Sequence, residues 1–214
     1  MSTFEPSEET MRETFDAIGR VCGTDKASRC DAGRFEGSGG HGYLEFYQEV
    51  LGRRRDEPLR ILEIGVLYGY SLLTWERCFP KASIVGIDVH RFTEASTFER
   101  AQIEIFDAAR QPQAESFLAR HPDGFDLVVE DASHQSAEMI RLLELYWPAV
   151  RPGGWYAMED VRCGYELYYG GEPHGDSPSI VDRVRHLVDD ALATIDGIRQ
   201  LRVYRNIVFL EKAS

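Results

Sequence analysis

No apolar stretch of this chain approaches the ~18 residues that a membrane-spanning helix needs, so no segment is expected to cross a bilayer. Positive charge is also scarce. Against 36 Asp and Glu stand 24 Lys and Arg, a formal net charge of −12, and a basic face for nucleic acid is hard to assemble on that background. The single basic run, Arg53-Arg54-Arg55, is followed at once by Asp56-Glu57 and reads as a solvated loop. Cysteine is sparse. Cys22, Cys30, Cys78 and Cys163 are scattered without a Cys-x-x-Cys pair and no signal-peptide pattern is seen, so four reduced thiols in a cytoplasmic protein are expected. Internal repeats and low-complexity tracts are missing as well. What is there is 214 residues with 43% hydrophobic content. That suffices for a sizeable core, so 1–214 is expected to form one domain, with 1–58 as a helical and loop cap.

Hydrophobic runs and breakers give the organisation. Ser7–Arg20 reads as a helix, with Ser7 as N-cap and Glu8 and Glu9 favouring the dipole in its first turn. Cys22–Gly42 is Gly-rich loop, and Leu44–Leu51 is helical until Gly52–Pro58 ends it. Strands and helices then alternate: strand Arg60–Gly65, helix Ser71–Cys78, strand Ser83–Asp88, short strand Gln102–Phe106, helix Gln113–Ala119 and strand Phe125–Asp131. Ser136–Trp147 is a helix, with Met139, Leu142, Leu143 and Tyr146 on one face, and Pro148 stops it. Trp75, Trp147 and Trp155 read as core. Strand Trp155–Glu159 and helix Ile180–Ala193 follow. The runs Ile198–Tyr204 and Asn206–Lys212 are too close for a crossover helix and must pair as an antiparallel hairpin. The expected fold is α/β and Rossmann-like. Its seven-stranded, mostly parallel sheet with a C-terminal antiparallel hairpin is the layout of a class I methyltransferase domain.

Two of the buried runs end in acidic pairs, Asp126-Leu-Val-Val-Glu130-Asp131-Ala-Ser-His134 and Trp155-Tyr-Ala-Met-Glu159-Asp160. Were these strands neighbours, their carboxyl ends would lie about 5 Å apart. Glu130, Asp131, Glu159 and Asp160 would then crowd the edge where open α/β sheets bind ligands. Carboxylates so placed repel one another unless a cation joins them, and oxygen ligands suit Mg²⁺, Mn²⁺ or Ca²⁺ better than zinc. Glu130 is expected to stand behind the ligands or to point away, because adjacent strand residues face opposite sides. His134 adds a titratable base beside this site.

Ile61-Leu62-Glu63-Ile64-Gly65-Val66-Leu67-Tyr68-Gly69-Tyr70-Ser71 reads as a strand, a glycine turn and a helix start. Gly65 and Gly69 permit close ligand approach or positive φ. Their spacing is Gly-x-x-x-Gly, not the Gly-x-Gly-x-x-Gly of dinucleotide sites, and no basic residue waits nearby for a pyrophosphate. Glu63 instead suits a cationic ligand such as the ammonium of S-adenosylmethionine. Asp88, ending the next strand, suits ribose hydroxyls, and Asp107, after the third, suits the adenine amino group. A strand-end Asp is often only a helix cap; three signals in order at successive strand ends point to S-adenosylmethionine.

Beyond these readings, the chain resembles the metal-dependent sugar O-methyltransferases of antibiotic biosynthesis. The resemblance rests on Gly23-Thr24-Asp25-Lys26, His41-Gly42-Tyr43, Leu62-Glu63-Ile64-Gly65-Val66 and Asp131-Ala132-Ser133-His134. It continues in Pro152-Gly153-Gly154, Glu159-Asp160 and Asn206-Ile-Val-Phe-Leu-Glu-Lys. It implies Mg²⁺ or Mn²⁺ held by Asp131, Glu159 and Asp160, with His134 as catalytic base beside Asp131. It further implies cofactor contacts from Thr24, Glu63, Gly65, Tyr68, Gly69, Ser71, Asp88, Asp107 and Ala108. The acceptor implied is a small-molecule glycoside; a homo-oligomer is compatible with the sequence. One departure is Glu130-Asp131-Ala132-Ser133-His134 where the family usually has Asp-Asp-Gly-Ser-His.

Transfer of a methyl group to an alcohol requires deprotonation as the oxygen attacks, which a divalent ion and a positioned base supply together. Aromatics and glycines in Cys163–Ser179 (Tyr165, Tyr168, Tyr169, Gly170, Gly171, with His174) suit either a mobile lid or an ordinary surface loop. His90, His121 and His186 carry no site signal, and nothing marks Cys163 as a nucleophile. Two rival readings are a catechol-type O-methyltransferase, whose usual base is a lysine, and a cofactor-binding module without chemistry.

Overall fold

The computed structural model describes residues 13–91, 98–172, 175, 177–193 and 197–214. Seven strands make one sheet: β1 (Arg60–Ile64), β2 (Ser83–Asp88), β3 (Ala101–Ile105), β4 (Phe125–Glu130), β5 (Val150–Met158), β6 (Ile198–Tyr204) and β7 (Ile207–Lys212). Their order is β3-β2-β1-β4-β5-β7-β6. The first five run parallel, and β7 enters antiparallel between β5 and β6, the expected hairpin. Every residue of β4 is buried, as a central strand covered on both faces requires. Strand order reverses between β1 and β4, so a ligand crevice opens there at the carboxyl edge.

Helices α1 (Phe15–Cys22), α2 (Tyr43–Leu51) and α3 (Tyr70–Cys78) cover one face; α4 (Gln111–Arg120), α5 (Ser136–Tyr146) and α6 (Ile180–Leu192) cover the other. The first core joins Phe15, Ile18, Leu44, Tyr47 and Leu51 to Trp75, Phe79 and Phe209. The segment read as a cap therefore supplies much of one of the two apolar layers. Met139, Leu142, Leu143 and Tyr146 are buried together in the second.

Several boundaries differ from the sequence reading. Helix α1 begins at Phe15, and its N-cap is Thr14, whose hydroxyl accepts from Ala17 N at 3.1 Å; Ser7, Glu8 and Glu9 lie outside the described residues. Strand β5 starts at Val150, through Pro152-Gly153-Gly154, because a register shift between Phe125 and Leu127 absorbs these weak strand formers. Trp147 packs against the second core from its edge, half-buried in a 3₁₀ turn with Lys212 Nζ 5.5 Å from its ring centre. The basic run is not simply solvated either. Arg54 Nη2 donates to Asp126 Oδ1 at 2.9 Å and Arg55 Nη1 to Glu13 O at 2.8 Å. Arg151 and the Arg60 N–H also hold Asp126, each at 2.8 Å, clamping the amino edge of the sheet. All four cysteines are free thiols, and no helix among the described residues is long and apolar enough to cross a membrane.

Candidate active site

Strands β4 and β5 are neighbours with Glu130 opposite Met158, so the two acidic pairs do meet at the carboxyl edge. Asp131 N donates to Ile64 O at 2.9 Å and Glu159 N to Glu130 O at 3.0 Å, bringing three strand ends together. Gly65 makes this approach possible: its φ is +92°, and a Cβ there would lie 2.0 Å from the Asp131 carbonyl oxygen. Gly69, with φ +82°, is the left-handed N-cap of α3.

At the centre stands a residue the sequence reading gave no role. Lys26 is 1% exposed, and its ammonium bonds Asp131 Oδ2, lies 2.7 Å from Glu159 Oε2 and 3.3 Å from Glu63 Oε1. Glu159 Oε1 accepts from Tyr47 Oη at 2.6 Å, so both its oxygens are engaged. Glu63 Oε2 accepts from Trp75 Nε1 at 3.0 Å, so Glu63 faces Lys26 behind the cavity and is not brought into the wall. Burial alone would lower the Lys26 pKa, but the Asp131, Glu159 and Glu63 carboxylates override it and hold the pKa well above the ordinary range. Lys26 is therefore an ammonium. One such charge cannot balance three carboxylates, and burial pushes Asp131 and Glu159 upward and Glu63 up to about 7.

Asp160 and His134 complete the cluster from the loops after β5 and β4. His134 Nε2 is 3.9 Å from Asp160 Oδ2, and ligand atoms of Asp131, His134 and Asp160 all lie within 4.8 Å of one another. His134 Nδ1 is buried without a partner.

Glu130 turns away, as strand alternation requires: it is fully buried, and Oε1 accepts from Ala132 N at 3.3 Å. Burial pushes it from an ordinary 4.5 up to about 8. In that window the folded protein keeps a proton the unfolded chain has released, so this group's contribution to stability falls as pH rises from 4.5 to about 8. The loss is at most about 1.4 kcal/mol per pH unit. Glu130→Gln mimics the protonated form. Calorimetry in EDTA should find it melting above the wild type at pH 8 with the gap closing towards pH 5; parallel profiles would contradict this assignment.

A cavity of ≈ 370 Å³ leads from the cluster across the ends of β1, β2 and β3. Thr24, Gly65, Tyr68, Ser71, Asp88, Asp107 and Ala108 line it, while Glu63 and Gly69 do not. Asp88 organises the glycine turn: Oδ2 accepts from Val66 N at 2.9 Å and Leu67 N at 2.8 Å, and Oδ1 from His90 N at 2.9 Å. Asp107 Oδ1 accepts from Ala109 N at 3.0 Å. Phe35, His41, Tyr70, His90 and Phe106 also form the wall. His90, which carries no signal in the sequence, enters the wall two residues past Asp88. Phe35 and His41 come from the Gly-rich loop, where no periodicity marks them.

After Asp160 the chain makes 3₁₀ turns at Val161–Tyr165 and Leu167–Tyr169. The Tyr169 ring stands 6.3 Å from that of His134, while Leu167 and Tyr168 are exposed. His174 lies outside the described residues. The Cys163 thiol is pushed up to about 11, first by burial, which leaves it protonated rather than nucleophilic.

Strand order and topology define a class I methyltransferase fold. A methyltransferase domain model matches residues 62–161. The chain is 31% identical over 192 residues to L-olivosyl-oleandolide 3-O-methyltransferase of Streptomyces antibioticus, covering 80% of this chain and 47% of that protein. It is 30% identical over 196 residues to mycinamicin VI 2''-O-methyltransferase of Micromonospora griseorubida, covering 80% and 48%. Among solved structures, the MycE methyltransferase of the mycinamycin biosynthetic pathway, in complex with Mg and SAH, superposes with TM-score 0.80 at 27% identity, over 94% of this chain and 55% of that one. The chain is thus a relative of the sugar O-methyltransferases of macrolide and tetracenomycin biosynthesis, as its motifs suggest. It spans about half the length of the curated relatives it matches.

Proposed function

We propose that this chain binds S-adenosylmethionine with a divalent cation, Mg²⁺ or Mn²⁺, and methylates a hydroxyl on the sugar of a glycosylated natural product. The observation that carries the reading is the charge imbalance at the strand ends. Lys26 faces Asp131, Glu159 and Glu63, and Asp160 adds a fourth carboxylate, all beside a cavity at the switch point. Hard oxygens in surplus over cationic charge fit a second cation. The cavity, apolar at Ile64, Val66, Ile87 and Phe106 with Asp88 and Asp107 at its edge, suits an adenosyl group.

Asp131 and Asp160 would hold the cation, and Glu159 would join them where Lys26 gives way. When bound, the cation lowers the pKa of an acceptor hydroxyl, and S-adenosylmethionine supplies an electrophilic methyl. His134 Nε2 would accept the hydroxyl proton as the oxygen takes the methyl group, and the sulfur of S-adenosylmethionine would keep the electrons of the broken carbon–sulfur bond, giving S-adenosylhomocysteine. Tyr68, Tyr70 and Phe35 give the cavity an aromatic wall. A lysine base of the catechol type is disfavoured, because the Lys26 Nζ is occupied by Asp131 and Glu159.

Turnover is therefore expected to vanish in EDTA and return with Mg²⁺ or Mn²⁺ on a glycoside panel, with simple catechols poor acceptors. Calorimetry should detect S-adenosylhomocysteine without acceptor. Full activity in metal-free protein would refute the cation; tighter binding of NAD than of S-adenosylhomocysteine would refute the cofactor.

A further inference from the structure

Asp160 sits in left-handed backbone, φ 54°, a conformation that few side chains other than Asn and Asp adopt. Its surroundings are the tip of the β6–β7 hairpin and the start of α2. Asn206, also left-handed at φ 68°, donates from Nδ2 to Asp160 Oδ1 at 2.7 Å. Its own Oδ1 accepts from Arg162 N at 2.7 Å, and its main-chain oxygen accepts from Val161 N at 3.2 Å. Tyr43, buried at the start of α2, donates from Oη to the same Asp160 Oδ1 at 2.8 Å, and Asn206 Nδ2 lies 2.5 Å from that hydroxyl. One oxygen of Asp160 is thus committed to two donors. The other, Oδ2, faces His134 Nε2.

We propose that Asn206 is a positioning residue: with Tyr43 it fixes the rotation of the Asp160 carboxylate, so that the hairpin tip completes the cation site. The proposal rests on the reading of Asp160 as a cation ligand. Asparagine meets the demands of this position. It tolerates left-handed backbone, and its amide offers a donor to Asp160 and an acceptor to Arg162 N at once. Aspartate lacks the donor, and glycine keeps the backbone but loses both bonds. Groups that orient a metal ligand typically change metal affinity by about 10–100-fold when removed. The hairpin thereby couples the last two strands to the chemistry at the end of β5.

The test is titration of the full chain with Mn²⁺, followed by the electron paramagnetic resonance signal of the free ion. Asn206→Gly, which the positive φ accommodates, should raise the Mn²⁺ dissociation constant about 10-fold or more, and Tyr43→Phe by a smaller factor. A purely structural role would instead lower the melting temperature and leave Mn²⁺ affinity of the folded protein unchanged. Folded Asn206→Gly that binds Mn²⁺ within about threefold of wild type overturns the proposal. Should that variant not fold, unchanged affinity in Tyr43→Phe overturns it, and weakened affinity there supports it. A wild-type protein that binds no Mn²⁺ refutes the cation reading itself, a result distinct from equal binding by all three proteins.

Discussion

Lys26→Met is expected to destabilise the metal-free protein by about 3–5 kcal/mol, the range for removing one partner of a buried ion pair. For a chain of this size that corresponds to a fall in melting temperature of about 6–20 °C. The cause is not a lost contact alone. Asp131, Glu159 and Glu63 would face one another with no cation between them, and the folded state would have to take up protons to relieve the repulsion. Because the folded variant binds more protons than its unfolded chain, its deficit against wild type should widen as pH rises and shrink towards pH 5. Scanning calorimetry in EDTA at several pH values measures this. Adding Mg²⁺ should then raise the variant's melting temperature, by up to about 2.7 kcal/mol of stabilisation at a concentration of 100 Kd. A variant that melts within a few degrees of wild type at pH 8 would mean that Lys26 does not neutralise the cluster.

The frame of the fold was legible because it depends on local pattern. Strands β1 and β4 are short buried runs rich in Ile, Leu and Val, α5 carries a strict helical face, and a short gap forces the final hairpin. Those features alone placed the four carboxylates and His134 at one edge, since parallel neighbours share a carboxyl end. What could not be read was anything set by long-range side-chain choice. Lys26 reaches Asp131 across 105 positions and Glu159 across 133, from a loop without periodicity, so no spacing rule could nominate it. Glu63 shows the consequence: a strand-end carboxylate suited to a cation did find one, but the cation is the protein's own lysine. Asp88 lines the cavity, and its oxygens accept from the main chain of the glycine turn. Asn206 was visible in a motif, yet its tie to Asp160 follows from β7 being inserted beside β5, which only the sheet order reveals.

His134→Ala is expected to lower kcat by about 10²–10⁴-fold, the usual contribution of a positioned general base. The geometry leaves His134 two ways to matter, because its Nε2 is near enough to Asp160 Oδ2 for both to ligate one ion. The two roles separate experimentally. A base that is not a ligand gives a large fall in kcat with Mn²⁺ and S-adenosylhomocysteine affinities unchanged. The residual rate of such a variant should climb with pH, as the acceptor hydroxyl ionises without help. A ligand role gives a fall in Mn²⁺ affinity that excess metal reverses, restoring much of kcat. His134 also holds left-handed backbone at φ 58°, so a purely structural role is a third outcome. It would lower the melting temperature and leave kcat within a fewfold of wild type. The expected result is the first, since Asp131 and Asp160 already offer carboxylates to a cation and the His134 imidazole stands beside them. A reversible, metal-dependent loss would instead move His134 into the coordination sphere and leave the cation alone to activate the hydroxyl.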